Sequence, residues 1–193
     1  MRKKIFILLI LLVSLPWSLA HAGTKILLLI AEQNIGEHYH YWWGGALAEE
    51  VNLSSVESIL AQRLTDAGFE VIDPSVMGRF KVKKAYRHLG LNTNEALEIA
   101  HTYGADLVVL GKALATEGAR VAGTSMISSS ANITAKVVRL KDRKIIAYLS
   151  TSGDSLHPNV ITAGKEALEQ AAEDLAIKLI NELKKEGRYN EGK

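Results

Sequence analysis

The stretch TKILLLIAE, residues 24 to 32, restricts the possible folds of this chain more than any other. Its apolar residues are continuous from Ile26 to Ala31, and the polar stretch EQN follows at once. A run this short without alternation reads as a strand buried on both faces, because a half-exposed strand shows period two and a buried helix needs more length. Such a strand needs cover on each side, which places it at the centre of a sheet in an α/β protein.

The rest of the pattern supplies that cover. Ser54 stands three residues before Glu57, the spacing of a capping box, and Val56, Ile59, Leu60, Leu64 and Ala67 form one helical face closed by Gly68. FEVIDP, 69 to 74, reads as a short strand stopped at Pro74. Asn92 and Glu95 repeat the cap spacing before a short helix with Ala96, Ile99, Ala100 and Tyr103 that closes at Gly104. ADLVVLGKALA, 105 to 115, reads as a second buried strand, with Asp106 placed to cap or pair locally.

From Ile127 to Val137 apolar and small residues alternate with Ser, Asn, Thr and Lys, which predicts a strand with one wet face. KDRK turns the chain and IIAYLSTSG, 145 to 153, returns as the second arm of an antiparallel hairpin. Leu168, Ala171, Ala172, Leu175, Leu179 and Leu183 then mark a long helix over about 161 to 185. The expected fold class is α/β (α+β): one mixed sheet of about five strands packed against three helices, with a carboxy-terminal hairpin and a long final helix. Residues 23–187 form a single domain in this reading, and 188–193 a frayed tail.

The first 22 residues have the form of a cleavable secretory signal. Arg2, Lys3 and Lys4 precede the apolar run Ile5 to Leu15, Pro16 breaks it, and Ala20-His21-Ala22 gives the small-x-small pattern before Gly23. The run is shorter than the roughly 20 residues of a spanning helix. A periplasmic location follows, with cleavage after Ala22. No Cys follows the cleavage point, so lipidation is not expected. Loss of the signal takes three basic residues and leaves 20 Lys and Arg against 21 Asp and Glu, a formal charge of −1. That balance removes support for nucleic acid as a partner. An exported chain without cysteine has no disulfide and depends on its core.

Catalytic motifs are not found, and neither an enzyme activity nor a cofactor is expected. GARVAG, 118 to 123, has glycines five apart but is followed by Thr124 and Ser125 where a phosphate loop needs Lys and then Ser or Thr. No GxSxG elbow occurs, and TSGDS, 151 to 155, reads as turn chemistry at a strand end.

The chemically richest stretch is EHYHYWW, residues 37 to 43. His38 and His40 fall on one side of an extended segment and can chelate Zn²⁺ or Cu²⁺ with Glu32 or Glu37, although His88, His101 and His157 offer no matching spacing. Trp42 and Trp43 can instead cover the sheet as part of the core. In the third reading Tyr39, Tyr41, Trp42 and Trp43 anchor a protein partner, since loops after strand ends collect binding sites and Tyr and Trp dominate interface energetics. A second candidate surface is the basic segment with Arg79, Lys81, Lys83, Lys84 and Arg87, which is either a solvated face or a contact for an acidic protein, a lipid head group or an anionic cell-wall polymer.

The strings ILLLIAEQNIGE, LTDAGFEVIDP, ALEIAHTYGADLVVLGKA and ITAKVVRLKDRKIIAYLSTSGDS, in this order before an Ala-rich helix, resemble one envelope family. It is the small α/β domain of the TolB amino-terminal part, the middle domain of flagellar assembly protein T, the lipoprotein activators of penicillin-binding proteins and the curli secretion channel. The resemblance spans about residues 24 to 185. It implies a non-enzymatic role in assembly, scaffolding or partner activation, with an envelope or flagellar basal-body protein as partner and possible peripheral contact with membrane or cell wall. Regulation of peptidoglycan synthesis and binding of a metal or small molecule through His38 and His40 are the alternatives.

Overall fold

The computed structural model describes residues 23–36, 54–72 and 93–191. Within them the elements are β1 (Lys25–Gln33), α1 (Ser55–Asp66), β2 (Glu70–Ile72), α2 (Thr93–Thr102), β3 (Leu107–Arg120), β4 (Ile127–Arg139), β5 (Lys144–His157) and α3 (Val160–Glu191). The sheet order is β2-β1-β3-β4-β5. β1 pairs in parallel with β2 and β3, whereas β3, β4 and β5 run antiparallel. The result is the expected mixed five-stranded sheet with three helices.

The continuous apolar run takes the position its pattern requires. Ile26, Leu28 and Ile30 of β1 face Val56, Leu60 and Leu64 of α1 and the Ala and Leu stripe of α3. Leu27 and Leu29 face the opposite way, into a smaller cluster with Ala96, Ile99 and Ala100 of α2. Both faces of β1 are dry, which is why it shows no alternation. β4 alternates because only one of its faces is covered: Ala131, Ile133 and Val137 are buried under α3, while Asn132 and Thr134 are exposed. Burying each of the Leu and Ile side chains stabilises the fold by about 2 kcal/mol.

Helices α1 and α2 end in the same way. Gly68 and Gly104 adopt positive φ, at 89° and 67°. The next amides turn back into the helix, Phe69 N–H to Leu64 O at 3.0 Å and Ala105 N–H to Ala100 O at 2.9 Å. Only glycine enters this left-handed position without a Cβ penalty, so two glycines seen in the sequence fix where both following strands begin. Asp106 accepts the Lys25 amide at 2.8 Å, a contact between β1 and the start of β3 rather than the local cap or pairing expected of it.

Three boundaries differ from expectation. β3 runs on from 115 to Arg120 and forms a hairpin of its own with β4, turning at Gly123, so GARVAG is hairpin. β5 continues to His157, which puts TSGDS inside the ladder opposite Ser129 to Ile133 instead of in a turn. α3 extends through Glu191. The outer part of β3 is exposed and carries no apolar signal, because backbone pairing with β4 holds it rather than burial.

β5 is an edge strand, and α3 guards it. Lys178 Nζ donates to Ser150 O at 2.8 Å and Gln170 Oε1 accepts from Asp154 N–H at 2.9 Å. Helix and strand approach closely because residue 153 is glycine; a Cβ there would overlap the Ala167 carbonyl oxygen. Thr151 Oγ1 adds a buried bond to Ala171 O at 2.8 Å.

Candidate functional site

The carboxyl end of β1 meets the amino end of α1, in the region where parallel α/β sheets place their sites. β2 pairs with β1 only as far as Leu27, so further along β1 the amides on that side lie beyond the described β2 ladder. The Ile30 amide is one of them, and Glu57 Oε1 accepts it at 2.7 Å. In the other direction Glu32 Oε2 accepts the Val56 amide in the first turn of α1 at 2.9 Å. Ser54 Oγ accepts the Glu57 amide at 3.1 Å. Ser54 thus caps the helix as its spacing predicts, but the Glu57 side chain reaches the strand rather than the cap residue.

Both carboxyls are buried, Glu57 at 3 % exposure and Glu32 at 8 %. Burial, opposed in part by the Ile30 amide and reinforced by the charge of Glu32, raises the Glu57 carboxyl from 4.5 to about 8. At neutral pH it is therefore mostly a neutral acid, and its second oxygen, Oε2, has no hydrogen-bond partner among the described residues. Glu32, a carboxylate candidate for metal binding in the sequence, acts here on a helix amide, an arrangement that a helix amino terminus favours.

The outgoing chain is tied down next to this pair. Asn34, 7 % exposed, donates through Nδ2 to Ile161 O at 3.1 Å and accepts the Ile35 amide at 2.8 Å. Residue 164 must be glycine for this, since a Cβ there would overlap Asn34 Oδ1.

Sequence reasoning did not single out Glu57 for this role, although a signal exists. Glu57, Leu60 and Leu64 share a helical face, so the period that defines the core stripe of α1 puts an acid on it. The sequence-predicted contact residues Tyr39, Tyr41, Trp42, Trp43, Arg79, Lys81, Lys83, Lys84 and Arg87, and the metal candidates His38 and His40, lie outside the described residues. The two described histidines sit at opposite ends of the sheet: His101 lines a cleft with Leu107 and Arg139, and His157 pairs with Ile127 and accepts the Asn159 amide at 3.0 Å. Among the described residues no three His, Cys, Asp or Glu side chains group to hold a metal.

The cleft beside His101, about 760 Å³, lies at the far edge, where β1 and β3 begin. Its principal charges are engaged within the protein. Arg139 makes paired bonds to Asp142 at 3.0 and 2.8 Å and a further bond to Glu186, and Asp106 holds the Lys25 amide. The carboxylate pair at the opposite edge is the more unusual chemistry.

No family model matches this chain, and no curated protein does. Solved structures with a similar outline include lipoprotein GNA1162 from Neisseria meningitidis, at 14 % identity and TM-score 0.40, covering 84 % of this chain and 99 % of that one. Protein XCC0632 from Xanthomonas campestris matches at 12 % identity and TM-score 0.46 over 90 % of this chain and 94 % of its own. The LpoB carboxy-terminal domain from Salmonella enterica matches at 14 % identity and TM-score 0.38 over 68 % and 83 %. Among the described residues no helix is long and apolar enough to cross a membrane.

Proposed function

We propose that the protein is an exported, non-enzymatic component of the bacterial cell envelope, related to the TolB amino-terminal-like domains, and that it acts by binding another protein through residues 37 to 43. The export signal in residues 1–22 supports the compartment, and the order of motifs from 24 to 185 supports the kinship. The single observation that carries the docking assignment is the anchoring of both flanks of the aromatic segment. On one side Asn34 binds α3, and on the other Glu32 and Glu57 fix the first turn of α1, capped by Ser54, to β1. Rigidly held ends lower the ordering cost of presenting Tyr39, Tyr41, Trp42 and Trp43 to a partner. The basic residues Arg79, Lys81, Lys83, Lys84 and Arg87 are a second contact, for an acidic surface.

The test is a photoreactive residue at Tyr41, crosslinked in living cells and read by mass spectrometry. A single envelope protein captured at Tyr41 and not at an α3 control such as Ile177 supports the reading, and its identity chooses between envelope or flagellar assembly and cell-wall synthesis. An exported, folded protein that captures nothing at Tyr41 removes the docking role. Zinc titration of the wild type against His38→Ala/His40→Ala tests the metal alternative separately.

A further inference from the structure

We infer that Glu57 and Glu32 form a pH-operated clasp that fastens the first turn of α1 to the carboxyl half of β1 and loosens when the Glu57 carboxyl loses its proton.

The clasp is reciprocal. The helix acid takes a strand amide, Glu57 Oε1 to Ile30 N–H at 2.7 Å, and the strand acid takes a helix amide, Glu32 Oε2 to Val56 N–H at 2.9 Å. Each bond crosses between the elements, so the same two side chains close both halves. The arrangement is suited to one negative charge. Glu57 Oε2 is buried and unpartnered among the described residues, and a second charge there would stand beside Glu32 without a donor to meet it.

Nothing described nearby offers that compensation. On α1 itself Arg63 is turned to Glu173 of α3, at 2.7 Å. On β2 Glu70 pairs with Lys25, at 3.6 Å. Elsewhere on α3 Lys165 pairs with Glu169 and Glu166 accepts from Ser155. Glu32 from β1 is the charged group that acts on Glu57, and it is of like sign.

The direction of the response follows. An open clasp exposes Glu57 to water and returns it to the ordinary carboxyl value of 4.5, whereas in the closed clasp it titrates at about 8. Between those values the open form binds fewer protons, so opening becomes easier with rising pH, by up to tenfold per unit, and levels off above about pH 8. The clasp is tightest in acid, the reverse of an ordinary carboxylate salt bridge. It joins the two points from which residues 37 to 53 depart in the sequence, so pH sets how firmly those ends are fixed.

Amide hydrogen exchange at Ile30 and Val56 tests this, measured from pH 5.5 to 8.5 and corrected for the intrinsic pH dependence of exchange. Protection at both amides in the wild type should fall more than tenfold between pH 5.5 and 7.5 and then flatten, and at every pH it should lie below that of the fully buried Ile133 and Leu175, which open only with the whole fold. In Glu57→Gln, a neutral isostere that keeps the acceptor, protection should be independent of pH. Glu32→Gln provides a second reading: without its charge the plateau should come at lower pH and the total fall should shrink. Constant protection in the wild type, or an unchanged fall in both variants, would overturn the clasp.

Discussion

The Glu57 carboxyl accepts the Ile30 amide at 2.7 Å from a helix that begins 25 residues further along the chain, on the side of β1 where the described β2 ladder reaches only Leu27. With the reciprocal bond from Val56 N–H to Glu32, this contact ties the amino end of α1 to the sheet and gives the protein a buried acid. Its consequences extend to global stability.

Glu57 makes the wild type lose stability as pH rises from 4.5 to about 8, because the folded state holds a proton that the unfolded chain has released. Glu57→Gln removes that slope. Relative to the wild type it should gain about 3 kcal/mol between pH 5 and pH 8, the order expected from a shift of a few units at about 1.4 kcal/mol each. Urea denaturation at the two pH values measures the difference, and parallel wild-type and variant profiles would contradict the assignment.

Gly153→Ala should destabilise the fold by about 3 kcal/mol. The added Cβ overlaps the Ala167 carbonyl oxygen and approaches the Ala171 nitrogen, both of them backbone atoms of α3 that cannot rotate away. Gly123→Ala serves as a comparison, since its Cβ meets nothing and its cost comes only from positive φ, about 1 kcal/mol. Chemical denaturation of the two variants should rank them in that order.

Removing the side chains that cover the β5 edge should change association more than stability. In Lys178→Ala/Gln170→Ala the Ser150 carbonyl and the Asp154 amide lose their helix partners, leaving a long strand open to pairing with a second chain. Sedimentation velocity should show concentration-dependent self-association above that of the wild type, with a loss of stability of no more than about 1 kcal/mol.

Arg139 should matter more than Arg63. Arg139 is 18 % exposed, binds Asp142 with two nitrogens and also reaches Glu186, which joins the β4–β5 turn to α3. Arg63 makes a paired bond to Glu173, but with side chains 50 % and 41 % exposed. Screening weakens an exposed pair much more than a half-buried network. Arg139→Ala should lower the thermal midpoint by several degrees, and the loss should persist in 0.5 M NaCl, where any loss from Arg63→Ala should disappear.

Much of the fold was legible from local patterns. Ser54 and Gly68 bounded α1, Gly104 ended the turn before β3, and the alternation from Ile127 to Val137 marked a strand with one covered face. These signals are read over a few residues, through backbone conformation and the period of burial, so no tertiary knowledge is needed. The outer arm of β3 and the end of β5 were not legible, because pairing across the ladder holds exposed polar residues in place and leaves no mark on hydropathy.

The sequence by itself determined that β1 would be covered on both faces, that α1 would start at Ser54, and that α3 would carry a stripe of Ala and Leu; each follows from the spacing of apolar, capping and left-handed residues. Tertiary structure alone decided that β1 lies between β2 and β3, that Glu57 takes the Ile30 amide beyond the described β2 ladder, and that Glu32 caps Val56. The capping-box spacing pointed Glu57 back toward Ser54. The strand competed for its carboxyl and won, because a buried amide must find an acceptor and the nearest one belonged to a neighbour in space, not in sequence.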